Sequence, residues 1–132
     1  MDSTISFFYS SGGRYFPNPY GEWNVLINEN GLILIKNIHK DIINFEKQFF
    51  ILQNENEQVW NIINDMELEN IIIKRNIALP DEATHEFVLK TNDKTIQKRI
   101  LNNELLKFPK LKSFQEFLKN IILRYAKIQA VF

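Results

Sequence analysis

The chain has 132 residues, with 16 Lys plus Arg, 16 Asp plus Glu, two His and no Cys. That is the length of one domain, 1–132, able to bury roughly two-thirds of its unfolded surface around a single core, and its 45% apolar and 24% charged residues exclude a largely disordered chain. Without cysteine there is no disulfide framework, thiolate zinc site, iron–sulfur cluster or cysteine nucleophile, and a net charge of zero lacks the basic surplus of a dedicated nucleic-acid binder.

Met1-Asp2-Ser3 is acidic and opens no signal-peptide pattern. The apolar clusters Leu32–Ile35 and Ile71–Ile73 are far shorter than the ~20 residues that span a bilayer. The expectation is a cytoplasmic chain with no membrane partner. Charge is uneven along it: residues 1–66 carry four basic and eight acidic side chains, and 67–132 carry twelve and eight.

Ile5–Tyr9 is β-branched and aromatic, which predicts a first strand ended by Ser10-Ser11-Gly12-Gly13. Trp23–Ile27 and Leu32–Ile38 flank Asn28-Glu29-Asn30-Gly31, and Asn-Gly between apolar runs is a strong hairpin signal because both residues tolerate positive φ. Phe45–Leu52 reads as the next strand. A helix over 54–66 follows, with Asn54 as N-cap, Glu57 completing a capping box, and Val59, Trp60, Ile63 and Met66 on one face. Leu68–Ile73 is a buried connection or short strand, and Pro80-Asp81-Glu82 a loop. His85–Thr91 and Thr95–Leu101 form a second hairpin. Ser113-Phe114-Gln115-Glu116 reads as the capping box of a last helix over 113–128, whose stripe of Phe114, Phe117, Leu118, Ile121, Ile122 and Tyr125 faces a sheet.

Strands in runs, with few helices between them, predict an α+β domain. Its antiparallel sheet has about five to six strands built from hairpins, with the two helices on one face. The pattern W-x-V-x-I-x₃-G-x-I of Trp23–Ile33, preceded by a Gly-containing loop and followed by a strand, a short helix, a second hairpin and a C-terminal helix, resembles small uncharacterised bacterial α+β domains. It is also similar in size and layout to bacterial immunity proteins, which bind and block a toxin. The first resemblance implies a fold without an activity; the second implies a protein partner.

No catalytic motif is assembled, and neither a cofactor nor a metal is expected. Gly12-Gly13-Arg14 lacks the spacing of a phosphate-binding loop. His39 and His85 have no partner histidine at metal spacing. Asp81, Glu82 and Glu86 around His85 offer a conceivable acid–base or metal site, and Arg14 could join a ligand pocket there. Lys107-Phe108-Pro109-Lys110-Leu111-Lys112 is the best nucleic-acid candidate, though it has three Lys and no Arg. The most unusual stretch is N-terminal, where seven aromatics fall in the first 23 residues. Arg14, Tyr15, Phe16, Tyr20 and Trp23 combine residue types enriched at binding hot spots on a segment stiffened by two prolines. They either form a protein-recognition loop, for another protein or for self-association, or fold inward to cap the core. The expected function is a protein-binding module such as an inhibitor or immunity-type protein; the alternatives are a small-molecule site or small enzyme near His85, and a weak nucleic-acid binder.

Overall fold

A computed structural model describes residues 5–12, 21–74, 77 and 82–132. Six strands, β1 (Ser6–Gly12), β2 (Glu22–Asn28), β3 (Leu32–His39), β4 (Ile42–Phe50), β5 (Thr84–Lys90) and β6 (Thr95–Leu101), form one sheet in the order β4-β3-β2-β1-β5-β6. Every pairing is antiparallel. Helices α1 (Gln53–Asp65) and α3 (Pro109–Ala126) lie against the sheet, with a one-turn α2 (Asn102–Leu105) and a 3-10 turn at Leu68–Asn70. This is the α+β architecture that the runs of strands imply. Among the described residues, no helix is long and apolar enough to cross a membrane.

Strand alternation decides which side is core. Phe7 and Tyr9 of β1, Val25 and Ile27 of β2, Ile33 and Ile35 of β3, and Phe87 of β5 are buried on one face. Val59 and Ile63 of α1 and Leu111, Phe114, Leu118, Ile121 and Ile122 of α3 close over them. Phe114 sits at the centre, edge-on to Phe7 with ring centroids 5.2 Å apart and to Tyr9 at 5.9 Å. Each such side chain, fully buried, contributes about 1.5–3 kcal/mol of transfer free energy.

The element boundaries differ from the sequence reading where tertiary pairing outweighs local signals. β1 continues through Ser10, Ser11 and Gly12, which were expected to break it, because these residues pair with β5 on one side and the two serines also pair with β2 on the other. β4 starts at Ile42 rather than Phe45, directly after a tight turn in which Lys40 and Asp41 take φ of 53° and 64°. A register shift at Asn37/Ile38 accompanies that turn.

Neither predicted cap is the real one. α1 is capped at Leu52, not Asn54, and its Glu55 carboxylate accepts the Leu52 N–H at 3.3 Å, the role assigned to Glu57. Glu55 also holds Arg124 and the Tyr125 hydroxyl, which ties the start of α1 to the end of α3. α3 begins at Pro109 with Phe108 as N-cap, one turn before Ser113. Proline suits the first helical position because the N–H it lacks would have no partner there.

Candidate functional site

Of the five residues singled out for protein binding, Arg14, Tyr15, Phe16 and Tyr20 lie outside the described residues, as does Asp81. Trp23 is described and is 4% exposed. Its indole packs edge-on against Phe45 at 5.5 Å and Phe132 at 6.0 Å, so this ring belongs to the core rather than to a contact surface.

His85 is 1% exposed on the core side of β5, and alternation sends Glu86 to the opposite face. The pair that looked like a His–carboxylate site is therefore split by the sheet. His85 instead joins three neutral side chains. Tyr9 Oη lies 2.8 Å from Nδ1 and Asn102 Oδ1 lies 2.9 Å from Nε2. Gln115 Nε2 donates to Tyr9 Oη at 2.7 Å and stands 3.4 Å from Nδ1. Since Asn102 Oδ1 can only accept, Nε2 carries the proton and Nδ1 accepts from the Tyr9 hydroxyl. Burial pulls the His85 pKa below its usual value, opposed by the Asn102 bond and reinforced by the Lys112 charge. Burial also pushes the Tyr9 phenol well above its usual range against the opposing Gln115 donor. The cluster is thus held neutral, and it ties β1 and β5 to α2 and α3. It does not line the open depression of about 440 Å³ between the 3-10 turn and the α2–α3 junction, whose lining includes Met66, Ile71 and Phe108. His39 ends β3 away from this cluster, half-buried. Among the described residues, no three His, Asp or Glu gather as a metal site.

The basic segment is also divided. Leu111 is buried in α3, Lys107 pairs with Glu104 at 3.1 Å, and Lys110 and Lys112 are exposed.

The other face of the sheet has no described element over it. The strand registers arrange its side chains in rows that cross the strands. One row reads Gln48, Leu34, Leu26, Phe8, Val88, Gln97 from β4 to β6. Its four apolar members are half-buried by one another and otherwise face outward. Two shallow depressions share Phe8 and Leu26: one of about 200 Å³ reaching Asn24, Lys36 and Glu46, the other of about 250 Å³ reaching Ser6, Val88 and Lys90. The next row reads Glu46, Lys36, Asn24, Ser10, Glu86, Arg99; carrying the β2–β3 register one residue past Ile27 and Ile33, a third reads Phe50, Leu32, Asn28, Ser6, Lys90, Thr95. At the edge, β4 leaves Ile42 70%, Ile43 52% and Phe50 62% exposed.

Sequence reasoning passed over this face, yet a signal was present. Leu32-Ile33-Leu34-Ile35 has no polar alternation, so a strand with helices on one side only must present leucine on the other.

No protein-family model matches the chain. No curated protein matches it either.

Proposed function

We propose that the chain is a non-catalytic protein-binding module, of the inhibitor or immunity type its layout resembles, and that it meets its partner through the face of the sheet over which no described element lies. The observation that carries this reading is the apolar row Leu34, Leu26, Phe8, Val88, which crosses four adjacent strands. At the usual strand spacing it forms a continuous strip about 14 Å long. A strip of large apolar side chains bordered by polar rows has the composition of an interface centre with its rim. An enzyme or small-molecule pocket built on His85 has less support, because that ring is buried and bonded to a phenol and two amides.

The test is native mass spectrometry of the tagged chain purified gently from its own cell, alongside Leu26→Arg. Leu26 is half-exposed, so the arginine can reach water in the free domain but not inside an interface. The expected result is a stoichiometric protein partner, a second copy included, that the variant releases while its melting temperature holds. A partner retained in full by Leu26→Arg, or no protein bound at any concentration, would overturn the reading.

A further inference from the structure

The charged row on this face, over which no described element lies, has an order that bears on its partner. From β4 to β6 it runs Glu46, Lys36, Asn24, Ser10, Glu86, Arg99, or negative, positive, neutral, neutral, negative, positive. Reversing that order end for end replaces every charge with its opposite. A two-fold axis parallel to the strands, above the boundary between β1 and β2, performs that reversal, because three strands lie on each side of it.

We infer that the partner of this face is a second copy of the chain, stacked sheet to sheet about that axis; the inference rests on the sheet-face reading proposed above. Glu46 then faces the partner's Arg99, and Lys36 faces the partner's Glu86. Two-fold symmetry makes each pair twice. The apolar row falls into the same register. Leu26 meets the partner's Phe8, and Leu34 meets the partner's Val88. In the third row Leu32 lies under the aliphatic stem of the partner's Lys90, a contact lysine makes readily while its ammonium stays in water.

Other stackings lack this match. An axis laid along the charged row would set Glu46 on Glu46 and Arg99 on Arg99, and like charges across an interface are costly. An axis parallel to the strands also permits the aligned packing, near −30°, that twisted sheets prefer. Six strands about 4.8 Å apart and about 24 Å long give a face of about 24 by 24 Å, so two copies would bury about 1,100 Å². That clears the roughly 1,000 Å² expected of a specific interface.

The decisive measurement is sedimentation equilibrium of the full chain across the micromolar range, with charge-exchange variants. Glu46→Arg alone and Arg99→Glu alone should each weaken the dimer about tenfold by placing like charges across the interface. The double variant should recover to within about threefold of the wild type. Within one chain these residues sit on opposite edge strands, about 24 Å apart, so mutual rescue requires a second chain. Thermal melts confirm that each variant is folded. A wild type that stays monomeric throughout, or a double variant no tighter than the weaker single, would overturn the inference. If the isolated chain is monomeric while a different protein is lost on Leu26→Arg, the sheet-face reading stands and self-pairing falls. If neither a dimer nor a partner forms, both fall.

Discussion

Tyr9→Phe isolates one hydroxyl at the centre of the buried polar cluster. The ring contacts remain: Tyr9 packs against Phe87 and Phe132, with centroids 5.0 Å away in each case. What disappears is the donor to His85 Nδ1 at 2.8 Å and the acceptor of Gln115 Nε2 at 2.7 Å. Stranding a buried polar group costs about 1–3 kcal/mol. Here the loss is partly recovered, because Gln115 Nε2 already stands 3.4 Å from Nδ1 and can donate to it after a small turn. The cost should therefore fall near the lower end, about 1–2 kcal/mol. For a domain of this size that is a fall in Tm of about 3–10 °C. Urea unfolding at pH 7.5 measures it, with an unchanged m-value expected because the surface exposed on unfolding is the same. A Phe variant as stable as the wild type would refute the bonded cluster. So would a Gln115→Leu, Tyr9→Phe pair whose costs simply add, since residues sharing one network should couple.

Two further outcomes follow from the same geometry. Burial lowers the His85 pKa in the folded chain, so the unfolded chain takes up a proton that the folded chain refuses. Stability is then complete above the unfolded value near pH 6.5 and is lost as pH falls through the folded value, at up to about 1.4 kcal/mol per pH unit. Urea melts from pH 7.5 to 5 should show the decline, and His85→Gln should flatten it; equal slopes would refute the assignment. Gly21 has φ of 63°, and an added Cβ would stand 2.6 Å from Ile38 O, whereas at Gly31, with φ of 94°, the nearest atom would be 3.5 Å away. Gly21→Ala should cost about 2–3 kcal/mol and Gly31→Ala about 1 kcal/mol, and equal losses in thermal melts would contradict the clash.

The hairpins were legible because their determinants are local. Gly31 takes the positive φ, 94°, that closes one turn, while Asn30 does not, and apolar β-rich runs on both sides of it mark the strands. Helix starts were less legible because they depend on distant partners. Leu52 caps α1 with the help of Glu55 and of the Tyr125 hydroxyl, which accepts the Leu52 N–H at 3.1 Å from 73 residues away. Asn54 and Ser113 matched the capping pattern without occupying the position. The His85 environment was hidden for the same reason: Tyr9 and Gln115 approach it from 76 and 30 residues away. The apolar side chains of the face without a described element over it were present in the composition of β3, but their alignment in rows depends on strand order and register. No local pattern encodes that order, so the alternation of charge from β4 to β6 was invisible in the linear sequence.

The placement of β1 bears on how the domain is made. It is the first of the described strands, yet it lies inside the sheet between β2 and β5. β1 to β4 can assemble as a meander as soon as they leave the ribosome, since each pairs with the next. The second edge of β1 has to wait for β5, whose Thr84 side chain bonds Gly12 O across 72 residues. Closing so long a loop costs roughly 2–3 kcal/mol more entropy than closing a short hairpin turn. Until β5 pairs with it, the outer backbone edge of β1 beside Phe7 and Tyr9 stays open, the kind of unpaired edge that makes partly folded chains prone to aggregate.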